Sequence, residues 1–351
     1  MGRGKERRRP WASRVRCFIC PDFSNGVIQY RERFTHPCGG RSLYSVLDIT
    51  KGRYVIFMKS SNQETSVMDQ IIDRAIEQNP HASELLKTFG PIITKQRQLA
   101  DSIALPRLDY SSIDREKLRA GVSVIQQMNL FSPDDPFAKI ALSLAEAVKE
   151  SMPKLAAEMD RLSDLIQNGR LRLADYFEAS AGDKNKTTDG RENDLKISPS
   201  NASFLISLLA RVLLEKRAKE ITEVLGEFAW EKGYCPICGE FPSIALIEEE
   251  GGKRFLHCSA CGQDWRFTRV VCPYCEKEAR QEMDYFYVES KTQESAFICD
   301  TCKKYLVTLY RAGRLHARDM DISAIALVHL DMIMQDKGYE PMVACAWNVI
   351  G

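Results

Sequence analysis

A chain of 351 residues with 44% hydrophobic and 28% charged side chains is long enough to bury a sizeable core and has the composition of a soluble globular protein. Its net charge of +1 hides an asymmetry: residues 1–67 hold 13 Lys/Arg against 5 Asp/Glu, a balance of +8, which leaves −7 for the rest. The main body is therefore no natural polyanion binder, and no apolar run reaches the length of a membrane span or a signal sequence.

Residues 1–67 combine an arginine-rich start with short mixed stretches and no sustained helical period. No hydrophobic segment follows Arg7-Arg8-Arg9, which argues against a twin-arginine export signal. Cys17, Cys20 and Cys38, with His36, read as loop rather than as a third metal site, because a single residue separates His36 from Cys38. The segment is expected to be a poorly ordered basic extension, dispensable and not necessarily part of the native product.

A clean amphipathic pattern starts at Met68, and residues 68–232 read as a helical domain. The periodicity predicts helices over 68–89, 92–102, 114–129, 136–150, 154–167, 171–180 and 203–230, with prolines 91, 106, 133, 136 and 153 at the boundaries. In the last helix Phe204, Leu208 and Val212 recur at i+4, while Arg211, Glu215, Lys219 and Glu223 are expected to line a polar face. The charged run 182–194 lacks apolar residues and reads as a solvated loop.

From Gly233 the period changes to two, and residues 233–312 read as short strands over 243–249, 253–257, 264–271, 283–289, 296–298 and 305–310. A turn is expected at Glu250-Gly251-Gly252-Lys253. Residues 313–351 return to helix over 319–337, with Asp321 as N-cap and Gly338 as stop, followed by a tail.

Eight of the twelve cysteines stand as four C-x-x-C pairs within 68 residues: Cys235/Cys238, Cys258/Cys261, Cys272/Cys275 and Cys299/Cys302. Each half of this stretch supplies four thiolates, the full set for one tetrahedral Zn or Fe ion. The spacing favours one quartet of Cys235, Cys238, Cys258 and Cys261 and a second of Cys272, Cys275, Cys299 and Cys302, with crossed pairing open as an alternative. Cys235-Pro236-Ile237-Cys238-Gly239 is a complete knuckle: proline stiffens the turn and glycine accepts a positive φ. Glu276 and Lys303 stand where the second half would want that glycine. The first knuckles of the two halves lie 37 residues apart and the second knuckles 41, as an internal duplication would give.

Short strands over such a stretch contribute only about 3–5 kcal/mol of core stability. A structural Zn site contributes about 10–16 kcal/mol of apparent binding free energy. Two structural metal ions are therefore expected, and the residues do not separate Zn from Fe. Four thiolates leave no open coordination position, which disfavours hydrolytic metal catalysis. Thiol–disulfide catalysis stays an alternative, although such motifs open a helix in a βαβ unit and these sit between strands and turns. His257 reads as a strand side chain, Cys345 as an unpaired buried thiol and Asp331 as part of a helix's polar face. Trp265, Phe267, Tyr285, Phe286 and Tyr287 read as cover for the sites and as partner surface rather than base-stacking platforms.

The segment Trp230…Gly233-Tyr234-Cys235-Pro236-Ile237-Cys238-Gly239…Pro242 resembles the entry to the metal domain of the formate dehydrogenase accessory protein family, FdhE. So do Leu256-His257-Cys258-x-x-Cys261, Asp264-Trp265-Arg266-Phe267-x-Arg269-Val270-x-Cys272-Pro273-x-Cys275 and Cys299-Asp300-x-Cys302-x-x-Tyr305-Leu306. The closing Leu330-Asp331…Gly338-Tyr339 is similar to that family's C-terminal helix, and the resemblance spans about residues 203–340. It implies a cytoplasmic maturation factor, not an enzyme, that binds the catalytic subunit of a molybdenum- or tungsten-pterin formate dehydrogenase. A zinc-ribbon nucleic-acid binder and a thiol or iron redox protein are the alternatives. The fold expected is α+β: an all-α N-terminal domain, two tandem rubredoxin-like zinc-ribbon β modules and a C-terminal helix.

Overall fold

The computed structural model describes residues 44–48, 53–57, 66–178, 198–226, 228–278, 283–288, 291–310 and 319–348. Residues Met1–Ser66 form one compact unit and Val67–Gly351 another. In the first unit β1 (Tyr44–Asp48) pairs antiparallel with β2 (Arg53–Phe57), placing Tyr44 opposite Phe57 and Asp48 opposite Arg53. Two five-residue runs of β-formers suffice for this hairpin but are too short to show a period in the sequence. Cys17, Cys20, His36, Cys38 and the charged run 182–194 lie outside the described residues.

The second unit opens with helices α1 (Val67–Gln78) and α2 (Ser83–Ser102). The helix expected over 68–89 breaks at Asn79, because Pro80 restricts the residue before it and opens a 3-10 turn, Pro80–Ala82. Pro91, expected at a boundary, lies inside α2 on its exposed side. There the missing N–H forfeits one intrahelical bond without burying an orphan carbonyl. The stretch 114–129 splits into α3 (Arg115–Arg119) and α4 (Val124–Gln127) at Gly121, whose φ is +90°. Asp114 caps α3 by accepting from the Glu116 and Lys117 amides.

Four further helices follow: α5 (Phe137–Ser151), α6 (Ala156–Gln167), α7 (Asp175–Glu178) and α8 (Pro199–Leu225). Ile140, Leu144 and Val148 of α5 meet Leu205, Leu209 and Val212 of α8 in one buried cluster. Truncating Leu144 there would cost about 2–5 kcal/mol. The polar stripe of α8 is solvated only at its C-terminal end: Lys219 and Glu223 are exposed, whereas Arg211 and Glu215 are buried. The period was right, but the first half of the stripe packs against other elements rather than water.

Strands β3 (Ile244–Ile247), β4 (Arg254–His257), β5 (Asp264–Phe267), β6 (Met283–Val288), β7 (Lys291–Cys299) and β8 (Lys304–Tyr310) join in the order β5-β4-β3-β8-β7-β6. Neighbours are antiparallel except β3 and β8, which run parallel with Ala245 opposite Thr308. Each half-sheet is a three-stranded antiparallel unit, and the β3–β8 ladder fuses the halves. A short β9 (Glu340–Pro341) adds to β8. Gly251 and Gly252, both at positive φ, make the expected turn between β3 and β4.

The single helix expected over 319–337 is two, α9 (Met320–Ala326) and α10 (Val328–Asp336), hinged at Leu327. Asp319 is the N-cap, accepting from the Ile322 amide, and Asp321 is buried instead. Helices α9 and α10 cover one face of the sheet through Met320, Leu327, Leu330 and Met334 against Ile244, Leu246 and Val307. The other face meets the helical core through Leu256, Trp265, Phe297 and Leu306. The α+β arrangement of helical region, paired four-cysteine units and closing helices is the one expected, and no helix among the described residues is long and apolar enough to cross a membrane.

Asp331, read from sequence as a solvated helix residue, is only 2% exposed and accepts a 2.7 Å hydrogen bond from the Tyr305 hydroxyl. Burial pushes its carboxyl up to about 7 against the pull of that hydroxyl. With the folded value above the unfolded one, its protonation stabilises the fold fully below about pH 4, and that contribution is lost as pH rises to about 7. Asp331→Asn is expected to remove this slope and to stabilise the protein at pH 8 by on the order of 1–2 kcal/mol. Denaturant titrations of both proteins at pH 5 and pH 8 check the sign: a variant weaker than wild type at pH 8 would refute it.

Candidate metal centres

The four cysteine knuckles are the same local structure repeated. In each, the residue after the second cysteine donates its N–H to the carbonyl of the first: Gly239 to Cys235, Gly262 to Cys258, Glu276 to Cys272 and Lys303 to Cys299, at 2.7–3.0 Å. That closure needs a left-handed backbone, and all four take it, with φ of 76°, 75°, 53° and 56°. Glycine adopts this conformation freely, whereas a residue with a Cβ is strained there. Glu276 offsets the strain: its carboxylate accepts from the Gly233 amide and pairs with Lys232 at 2.9 Å, holding the segment that enters the first knuckle. Lys303 has only an exposed pair with Asp300 and a place over the Tyr339 ring. Lys303→Gly should therefore raise the melting temperature with metal content unchanged. A lower melting temperature would show that the surface contacts outweigh the backbone.

The sulfurs gather in the two sequential quartets, Cys235 with Cys238, Cys258 and Cys261, and Cys272 with Cys275, Cys299 and Cys302. All sulfurs of a quartet lie within 4.8 Å of one another. Cys235 Sγ to Cys261 Sγ and Cys238 Sγ to Cys258 Sγ are 3.4 Å, and the corresponding pairs of the second quartet are 3.8 and 3.9 Å. A tetrahedral ion with metal–sulfur bonds of about 2.3 Å has sulfur–sulfur edges of about 3.8 Å. The donor set and its spacing thus fit one ion per sequential quartet. Burial pushes the Cys235 and Cys261 thiols up, so forming thiolates there calls for a bound cation.

The helical region builds the wall of the first centre. The Val124 and Ile125 amides at the start of α4 donate to the Pro236 and Ile237 carbonyls, each at 2.9 Å, inside the first knuckle. The second knuckle is held by Arg211 of α8, which donates to the Cys258 and Ser259 carbonyls at 3.1 and 2.6 Å. The two quartets are also locked to each other. A Cβ on Gly233 would lie 1.8 Å from the Pro273 carbonyl oxygen, so only glycine lets the segment that enters the first knuckle approach the third knuckle.

Sequence reasoning missed a buried charge cluster beside the first centre. Asp321 of α9 accepts from Arg211 at 2.8 Å, from Arg97 of α2 at 2.5 Å and from His257 Nε2 at 3.1 Å. Glu215 joins both arginines, and His257 Nδ1 lies 2.7 Å from Asp264. His257 is thus no ligand of the quartet but a bridge between two carboxylates. Burial disfavours charge on every member, yet the facing groups win: Arg211, His257 and Arg97 hold Asp321 well below the usual carboxylate range. Asp321 and Asp264 likewise raise His257 to about 10 against its desolvation. The i, i+4 spacing of Arg211 and Glu215 was visible, but only their burial distinguishes this pair from a surface one. Cys345 is half-buried, its Sγ 3.4 Å from Ser259 Oγ and not among the quartets.

Among the aromatic residues, Trp265 and Phe267 are buried as cover for the sheet, and Tyr287 is exposed. The indole N–H groups of Trp230 and Trp265 donate to the Tyr234 and Lys232 carbonyls at 2.7 and 3.1 Å, pinning the segment that enters the first knuckle.

Fold and site together define a class: a helical protein carrying a fused pair of four-cysteine ribbons braced by its own helices. The family model described as "FdhE, central domain" matches residues 234–269, which span the first quartet. An FdhE homologue from Aquifex aeolicus is 27% identical over 277 residues, covering 75% of this chain and 88% of that protein. FdhE of Escherichia coli is 32% identical over 150 residues, 41% of this chain and 46% of that one. The crystal structure of FdhE from Pseudomonas aeruginosa superposes with a TM-score of 0.53 at 17% identity, covering 80% of this chain and 94% of that one, a likeness of fold. These likenesses in sequence and fold support the FdhE family for this chain.

Proposed function

We propose that this chain is a cytoplasmic accessory factor, not an enzyme, that binds the catalytic subunit of a molybdenum- or tungsten-pterin formate dehydrogenase during assembly. Similarity to the FdhE family carries this reading. The chemistry of the site supports it: four sulfurs per centre saturate a tetrahedral ion and leave no position for substrate. In this reading Cys235, Cys238, Cys258 and Cys261 hold one Zn or Fe ion, and Cys272, Cys275, Cys299 and Cys302 hold another. The ions lock the knuckles, and the helices brace the resulting surface for a partner. Val270 and Tyr274, exposed beside Cys272, supply apolar contact area on that surface. Nucleic-acid binding is disfavoured, since Trp265 and Phe267 are buried and offer no face for base stacking. Residues 1–67 are taken as dispensable to this activity.

Affinity capture of the tagged chain from cells grown with formate tests the proposal. A formate dehydrogenase catalytic subunit should co-purify, and Cys→Ser changes in either quartet should weaken its recovery. Metal-loaded protein that captures no such subunit, in cells whose formate oxidation survives deletion of the gene, would refute it. Truncation to Met68 should leave capture intact.

A further inference from the structure

Three described arginines are buried, and two have carboxylate partners: Arg211 pairs with Glu215 and Asp321, and Arg217 with Asp135. Arg254 of β4 has none. Its Nη1 reaches only the Val271 carbonyl, at 3.3 Å, and its Nε and Nη2 are buried without a hydrogen-bond partner. The guanidinium lies 4.7 Å from the centroid of Phe297 and 5.8 Å from that of Phe267. Aromatic faces attract a cation but do not neutralise it. Burying a guanidinium without an anion is strongly unfavourable, and arginine does not escape by losing its proton.

The surroundings point to the missing anion. Val271 leads directly into Cys272, and Phe297 stands two residues before Cys299, so the guanidinium lies beside the segments that lead into both knuckles of the second quartet. The buried Tyr285 hydroxyl, whose ring packs on Phe297, is likewise without a partner. Burial pushes the guanidinium down from its usual value, and Tyr285 and Cys272 are the groups that hold it up; no carboxylate contributes. A divalent ion with four thiolates carries a net charge of −2, which such a cation would half offset.

We propose that Arg254 is the buried counter-charge of the second four-cysteine centre, a positioning residue supplied by the strand that leads into the first. The inference rests on reading the quartets as metal sites. Arg254 stands four residues before Cys258, so folding of the first half brings the cation into place. The first centre takes its own cation, Arg211, from α8. The dependence is therefore one-way: the second centre needs the first half of the sheet, and the first does not need Arg254.

Full-length protein reconstituted with Co2+, and separately with iron, tests this through Arg254→Met, which removes the charge, and Arg254→Lys, which keeps it. Wild type should hold two Co2+ ions with tetrahedral-thiolate absorption. Arg254→Met should keep one and bind the other about 10–100-fold more weakly in chelator competition, and Arg254→Lys should recover most of that loss. In the iron form, the reduction potential of one centre should move negative in Arg254→Met, because the reduced centre carries the larger negative charge, and stay near wild type in Arg254→Lys. Arg254→Gln serves as the neutral variant if methionine prevents folding. Two tightly held ions in the neutral variants would overturn the proposal, as would equal loss in the methionine and lysine variants, which would mark a packing role only. Wild-type protein that binds no metal would overturn the reading of the quartets itself and this inference with it.

Discussion

Stripping the metal from reduced protein is expected to unfold the seven-stranded sheet. Strands β3, β4 and β5 are four residues each, and Cys235, Cys258, Cys261, Cys272 and Cys299 are themselves part of the buried core. A core of this kind supplies only about 3–5 kcal/mol. Loss of a structural ion removes about 10–16 kcal/mol of apparent binding free energy. The second term exceeds the first several-fold, so no rearrangement of short strands compensates. Chelation under anaerobic, reducing conditions should therefore abolish near-ultraviolet dichroism and expose Trp230 and Trp265, both buried in the intact protein. Far-ultraviolet helical signal should fall less, because α2, α5 and α8 have apolar contacts of their own. Cys258→Ser should reproduce the effect in the presence of metal. A metal-free protein with native tryptophan emission and an unchanged melting temperature would rule out a structural role for the quartets.

What the sequence disclosed followed from how local each signal is. The four knuckles were legible because a C-x-x-C turn is specified by adjacent residues, down to the positive φ that Gly239 and Gly262 accommodate. The strands were legible from their β-forming residues to within four residues at each end, except β7, which was expected over 296–298 and runs from Lys291 to Cys299. The parallel pairing of β3 with β8 was not, since nothing in Ala245 or Thr308 names a partner 63 residues away. The polar residues Arg211, Glu215 and Asp331 were misread for one shared reason. A helical period says which residues share a face, but not whether that face meets water or another element. Only the assembled fold shows that Arg211 of α8 faces the first centre and that Asp331 meets Tyr305.

Asp321→Ala is expected to cost about 3–5 kcal/mol, the range for removing one partner of a buried ion cluster. Three cations, Arg97, Arg211 and His257, converge on this carboxylate from α2, α8 and β4. Glu215 retains contacts to both arginines, so Asp321→Asn, which keeps the shape and a hydrogen-bond acceptor, should cost less than alanine. The damage should reach the first centre, because the Arg211 guanidinium that Asp321 anchors also holds the Cys258 and Ser259 carbonyls. Chelator extraction of one ion should accelerate in both variants while the other ion leaves at the wild-type rate. The pH dependence separates charge from packing. Asp321 is depressed in the fold, so its contribution is complete above about pH 4, the range of an unfolded carboxylate, and is lost as pH falls toward the folded value. The stability gap between wild type and Asp321→Asn should therefore shrink below about pH 4, and also narrow as pH rises toward about 10, because Asp321 helps hold the proton on His257. Equal stability of wild type and Asp321→Ala at pH 7 would show that the cluster is a by-product of packing, with the helices held to the first centre by apolar contacts alone.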